Sequence, residues 1–325
     1  TSGADLAYIA KVVNESEARI PNFSGKYFKM TQSIDLNGHN LNIGDFPGWA
    51  DRKGFYGMLD GNHCTIRGLN NTKSLFGTIE TGYLKNLSVY GKVNGNDTIG
   101  GIVGYAANGG VLENLTNYAT VSGVSTLGGV VGNSENQAST VTNCVNYGKV
   151  TGSSYIIGGV AGSGGHDIIN CVNYGDVTST GNDCVGGIAG STKNTGSIKN
   201  CYNYGDIKAR GKIGGIVGQA NKLIEDCVSY GSVSGTWAIG GIVGYTKSSD
   251  SVSIVDCVNN GSITASSTGV GGIFGILETK GDTSVAGRAT ITGCTNNGSV
   301  EGSWGVGGIA GDTIGVTSQC VNNGS

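Results

Sequence analysis

Proline is almost missing, with 2 residues in a chain of 325. Polyproline and collagen helices need abundant Pro, and collagen also needs Gly at every third position, so neither describes this chain. Charge is scarce too, at 13% of residues, and with 38% hydrophobic content this reverses the signature of a disordered chain. Twenty Lys plus Arg stand against 23 Asp plus Glu, giving net charge -3 with no basic block. The electrostatic footprint of a nucleic-acid or anionic-membrane binder is therefore missing. No apolar run approaches the roughly 18 residues of a membrane helix, and the stretch from Val270 to Leu277 is broken by Gly, so no membrane insertion is expected. The three His, at His39, His63 and His166, have no Glu after them.

Glycine is abundant instead: 61 residues, where an average protein would carry about 7%. Its placement is periodic. The string Gly-Gly-aliphatic-any-Gly begins at Gly100, Gly128, Gly158, Gly186, Gly214, Gly240, Gly271 and Gly307, at spacings of 26 to 36 residues. After each copy comes a second string, clearest as Asn143-Cys144-Val145-Asn146-Tyr147-Gly148 and again from Asn170 and Asn200. Ser74-Leu75-Phe76-Gly77 followed by Asn86-Leu87-Ser88-Val89-Tyr90-Gly91 is an imperfect earlier copy. The array thus covers residues 66–325.

With the Cys as reference slot, an aliphatic residue sits three positions before it in every copy from Leu84 to Ile291, and Thr317 is the exception. Val or Ile returns six positions after it, from Val93 to Val300, in period-2 alternation. Each unit of about 28 residues offers two or three short β-type runs separated by Asn-Tyr-Gly or Gly-Gly bends, and no helical pattern interrupts them. One such unit cannot bury its apolar face alone, but stacked units bury it as continuous ladders. The expected fold is all-β, a parallel β-solenoid of about nine coils, roughly 43 Å long at ~4.8 Å per coil. The bend before the slot falls on Asn86, Asn114, Asn143, Asn170 and Asn200, a residue that tolerates left-handed backbone and can hydrogen-bond up a stack.

Residues 1–65 do not follow the period. Leu6, Ile9, Ala10 and Val13 lie at helical spacing, and Ser2 with Asp5 forms a capping pair, so a short helix is expected within an N-terminal cap over the first coil. At the other end the chain stops in mid-repeat at Asn323-Gly324-Ser325, which leads to the expectation of a fragment that continues C-terminally.

The unit Gly-Gly-Ile-Val-Gly, a polar gap, then Asn-Cys-Val-Asn-Tyr-Gly resembles the GLUG-motif repeats of bacterial cell-surface proteins. Phe23-Ser24-Gly25-Lys26-Tyr27-Phe28, Ile34-Asp35-Leu36 and Phe55-Tyr56-Gly57-Met58-Leu59-Asp60-Gly61 are similar to the segment that often precedes such arrays. The resemblance implies an extracellular, adhesin-like scaffold, of the kind also found in the non-catalytic parts of some IgA-cleaving metallopeptidases. Their His-Glu-x-x-His zinc helix has no counterpart among the His of this chain.

Several repeated residues could carry chemistry. Of the nine Cys, seven occupy the reference slot, where earlier copies have Leu87 and Leu115, so the slot selects a small buried hydrophobe; Cys64 and Cys184 stand apart. Adjacent in-register Cys meet disulfide torsions poorly, and no Cys-x-x-Cys suggests a metal. Tyr recurs three after the slot at Tyr90, Tyr118, Tyr147, Tyr174, Tyr204 and Tyr230, before Asn260, Asn297 and Asn323 replace it. This column is either a structural stack or, over Tyr118 to Tyr230, an exposed stripe that binds sugar rings or grips a partner. Asp226 with Asp256, and Asp176 with Asp206, stand at equivalent positions on adjacent coils, where a pair could hold a cation or act as glycosidase carboxylates; they are weak metal candidates because other copies carry Asn, Lys or Ser there. The Gly-Gly strings lack the Lys-Ser/Thr of a phosphate loop, and no cofactor is expected. The favoured reading is a non-enzymatic segment of a secreted bacterial surface protein, an adhesive stalk or binding surface for a host glycan or extracellular protein. A carbohydrate-active β-helix lyase or hydrolase is the alternative, and an ice-type binding face is disfavoured because no Thr-x-Thr ladder recurs.

Overall fold

A computed structural model describes the chain except residues 1, 48–49, 136–138, 166, 182–183, 193–195, 248, 279–288 and 313–314. His166 is therefore outside the described residues. The chain is a parallel β-solenoid of about 10 turns with one short N-terminal helix. One representative coil runs through Thr140–Thr142, Val145–Asn146, Val150–Gly152, Ile156–Gly158 and Ala161–Gly164. It pairs in parallel with the next coil at Val141 with Ile168, Asn146 with Asn173, Val150 with Val177, Gly158 with Gly186 and Ala161 with Ala189. Five strands per coil replace the two or three expected, separated by bends of two or three residues.

The aliphatic slots form unbroken buried columns. Leu84, Leu112, Val141, Ile168, Ile198, Ile224, Ile254 and Ile291 align in successive coils. So do Val93, Val121, Val150, Val177, Ile207, Val233 and Ile263. All of these lie in one continuous core. The first Gly of all eight Gly-Gly strings also falls in a single column, from Gly100 to Gly307.

Two corners turn with left-handed backbone. At the first, Asn86, Asn114, Asn143, Asn170, Asn200, Asp226, Asp256, Gly293 and Gln319 all have φ between +49° and +67°. At the second, which carries no Asn or Gly signature in most coils, Thr98, Thr126, Tyr155, Lys212 and Ala238 have φ between +50° and +66°. β-branched Thr in this region is strained, so the neighbouring ladders must impose the turn.

The N-terminal region joins the solenoid through different chemistry. Helix α1 (Gly3–Glu15) is capped by Ser2, whose backbone N–H donates to Asp5 Oδ2 at 2.6 Å, and it buries Leu6, Ile9, Ala10 and Val13. Tyr27–Lys29 pairs with Met58–Asp60, which pairs with the strand Tyr83–Asn94. Phe28 and Leu59 thereby extend the aliphatic column below Leu84. This added stretch takes the array beyond the nine coils that the motif count suggested. Phe23, Phe28, Phe55 and Phe76 pack there with ring centroids 5.2–6.2 Å apart. Beside them Arg52 donates to Glu80 from Nε at 2.8 Å and from Nη2 at 2.5 Å, with both side chains almost fully buried.

Candidate binding surface

The tyrosine column is a continuous stack. Ring centroids from Tyr90 through Tyr118, Tyr147, Tyr174, Tyr204 and Tyr230 are 4.3, 4.7, 4.8, 4.9 and 4.7 Å apart, with planes within 8° of parallel. The spacing is the coil repeat, imposed on the rings by the parallel ladder behind them. Arg67 covers the Tyr90 end, its guanidinium carbon 5.2 Å from the ring centroid. Tyr118, Tyr147, Tyr174, Tyr204 and Tyr230 are 38–46% exposed. Each inner ring has a neighbour on both faces, so Tyr118, Tyr147, Tyr174 and Tyr204 offer ring edges and phenol hydroxyls and no open face on which a sugar could stack. Burial, reinforced by the adjacent phenols, pushes the hydroxyls of Tyr118 and Tyr204 above their ordinary pKa. Val145, Val172, Tyr202, Val228 and Val258 form a parallel half-exposed row two residues before the column, and Tyr202 is 37% exposed. Beyond Tyr230 the column becomes an amide ladder: Asn297 Nδ2 donates to Asn260 Oδ1 and Asn323 Nδ2 to Asn297 Oδ1, both at 2.8 Å.

Behind this surface runs a second Asn ladder that the sequence reading overlooked. Asn117 donates to Asn146, Asn146 to Asn173, Asn173 to Asn203, Asn259 to Asn296 and Asn296 to Asn322, each Nδ2 to Oδ1 at 2.8 Å. All but Asn322 are fully buried. The second Gly of seven of the eight Gly-Gly strings makes room for it: a Cβ on Gly129 would meet Asn146 Cγ at 2.2 Å, and one on Gly159 would meet Asn173 Cγ at 2.3 Å. The two repeated strings are thus the two halves of one contact, and their joint recurrence was the available signal.

The Cys slot is packing. Cys144, Cys171, Cys201, Cys227, Cys257 and Cys294 are buried free thiols, and Cys64 and Cys320 are partly exposed. Each slot sulfur donates to a backbone carbonyl, as Cys201 does to Lys199 at 3.2 Å. Burial pushes the Cys144, Cys201 and Cys257 thiols well above the ordinary range, and all six buried slot sulfurs are shielded from solvent.

The structure places the acidic pairs at structural tasks. Asp226 and Asp256 are left-handed corner residues. Asp176 Oδ1 accepts from the backbone N–H of Asp206 at 3.1 Å, and Asp206 Oδ1 accepts from the N–H and the hydroxyl of Ser232, each at 2.8 Å. Among the described residues no cluster of three or more His, Cys, Asp or Glu could hold a metal ion, and no helix is long and apolar enough to cross a membrane.

No family model matches the chain, and no curated protein matches it. Among solved structures it is similar to a chain described as IgA1 protease, with TM-score 0.53 and 17% identity over 75% of this chain. The likeness is one of fold. This chain spans 22% of that protein's length. A putative immunoglobulin A1 protease from Bacteroides ovatus is also similar, with TM-score 0.46 and 18% identity over 100% of this chain and 82% of that one.

Proposed function

We propose that this chain is a non-enzymatic segment of a secreted bacterial surface protein, a rod that holds out an adhesive strip for an elongated extracellular partner, glycan or protein. The resemblance of its repeats to GLUG motifs and the fold shared with an IgA1 protease chain support the extracellular setting. The observation that carries the binding role is the exposed tyrosine stack, a row of phenol hydroxyls at 4.3–4.9 Å intervals beside a row of aliphatic side chains. Such a row offers rigid amphipathic contacts at low entropic cost, and its repetition makes it multivalent. In this reading residues 1–65 act as the cap of the first coil, and no metal or cofactor takes part.

The test is a panel of host glycans and matrix proteins presented to the wild type and to the triple variant Tyr147→Phe, Tyr174→Phe, Tyr204→Phe. The variant keeps the stack and removes three hydroxyls. The proposal expects lost binding at an unchanged melting temperature; unaltered binding to whichever panel member the wild type captures would overturn it.

A further inference from the structure

The three faces of the solenoid do not begin at the same coil. Among the described residues, the sheet that starts at Phe76–Glu80 has nine strands, whereas its neighbour starts one coil later, at Asp97–Gly100, and has eight. The cause is local. After Asn71 the chain crosses to Phe76 through only four residues, and the strand that should precede Asp97–Gly100 is skipped. A notch of about 440 Å³ remains, lined by Asp45, Phe46, Lys73, Asn96, Asp97 and Ile99 among others. That volume lies within the range of about 300–1,000 Å³ usual for ligand sites.

The later coils show what fills the equivalent place. Val124 and Ser125 donate their N–H groups to Asn96 O at 2.9 and 3.0 Å, and Thr236 and Trp237 donate theirs to Arg210 O at 2.9 and 3.2 Å. In each case two successive amides converge on one carbonyl of the preceding coil. Asn96 and Asp97 stand where Val124 and Ser125 stand, and among the described residues no preceding strand supplies their carbonyl. Ile99 in turn is the first member of the column Ile99, Leu127, Ile157, Val185, Ile213, Ile239 and Val270. On the rim, Asp45 is ion-paired with Lys73, whereas the exposed Asp97 carboxylate has no ion pair among the described residues.

We propose that this notch receives an extended peptide of a partner protein, added as a parallel strand beside residues 97–99, up to the point where the Gly100 N–H donates to Ser74 Oγ at 2.9 Å. One peptide carbonyl accepts from the amides of Asn96 and Asp97, an aliphatic side chain aligns with Ile99, and a basic residue lies near Asp97. Main-chain bonds supply the affinity in such strand addition, and alternate side chains supply the selectivity. The site is separate from the tyrosine strip, so either can fail without the other.

The chain's own sequence provides a probe. A blocked peptide of residues 209–216, Ala-Arg-Gly-Lys-Ile-Gly-Gly-Ile, already forms this strand in another coil, with its Ile in the aliphatic column and its Arg and Lys near the start. Hydrogen exchange on the whole chain should show added protection at the Asn96 and Asp97 amides. A peptide with Asp in place of the first Ile should bind at least tenfold more weakly, and Asp97→Asn should weaken the parent peptide severalfold. Protection confined to the opposite sheet edge at Trp304–Gly307, equal binding of the Asp peptide, or protection of the same amides by oligosaccharides and not by the peptide would each overturn the proposal.

Discussion

The two ends of the hydrophobic core are built from different materials. From Leu84 to Ile291 each core position is filled by nearly the same side chain in every coil, and even the buried polar groups are copies: Asn bonded to Asn, Cys over Cys. Between Phe23 and Glu80 the column continues through Phe28 and Leu59 with little of the motif; four Phe rings meet edge to face or tilted, beside a buried Arg–Glu pair. A stack of identical coils can satisfy each residue with its own counterpart, whereas the residues between Phe23 and Glu80 are satisfied by unlike ones. Stability should accordingly be spread along the array and concentrated at the N-terminal region.

The largest effect expected from breaking that contrast is Arg52→Ala. It leaves the Glu80 carboxylate buried without its cation, at a cost of about 3–5 kcal/mol. Hydrogen exchange should rise through residues 27–80 while the coils beyond residue 140 stay protected; uniform loss along the rod would refute the idea of separate regimes. Acid should act at the same place. Burial alone would raise the Glu80 carboxyl, but hydrogen bonds from Arg52 and Tyr56 outweigh it and hold its pKa below the ordinary value of 4.5. Because the folded pKa is depressed, this contribution is complete above about pH 4.5 and disappears as pH falls through the lower folded value. Exchange measured on acid titration should therefore quicken first around Arg52 and Glu80.

Next is Gly159→Ala within the array, whose Cβ would lie 2.1 Å from the Gly187 carbonyl oxygen of the adjacent coil. Overpacking against backbone should cost about 3 kcal/mol, and calorimetry should resolve two transitions as the rod divides at that coil. A single undivided transition would show that the coils unfold as one unit. A smaller effect is expected at the thiol column: Cys201→Ala should cost about 1–2 kcal/mol, below the range for Leu→Ala because less is removed. In the folded wild type, a thiol reagent should label Cys64 and Cys320 rapidly and the six buried slot sulfurs only after denaturation. The smallest change belongs to the outer surface. Replacing Tyr147, Tyr174 and Tyr204 with Asn, the residue used by later coils, should lower stability by under ~1 kcal/mol per stacked pair.

The contrast also explains what the sequence disclosed. The Gly-Gly register, the aliphatic columns and the Asn corner were legible because each rests on one residue type recurring at one offset. The second corner was not, since Thr98, Thr126, Tyr155, Lys212 and Ala238 have no one side-chain chemistry in common and take left-handed backbone from their neighbours. The inner Asn ladder was visible only as half of a pair, because Asn146 and Gly129 meet across coils and are separated in sequence. Phe28 and Leu59 were hidden inside an irregular segment that carries the column without the motif. The tyrosine column and a stack along it could be read from the spacing, whereas the exposure of its ring edges to solvent could not.

Ser229 interrupts the inner Asn ladder. It stands where the other coils from Asn117 to Asn322 carry Asn, its buried hydroxyl has no hydrogen-bond partner among the described residues, and Asn203 bonds only to the Gly205 carbonyl on that side. The amides on either side all point the same way along the rod, so the gap divides one line of aligned dipoles into two. Under tension along its axis, such a rod has a built-in fracture plane: it should part first between the coils of Asn203 and Ser229, leaving two intact blocks.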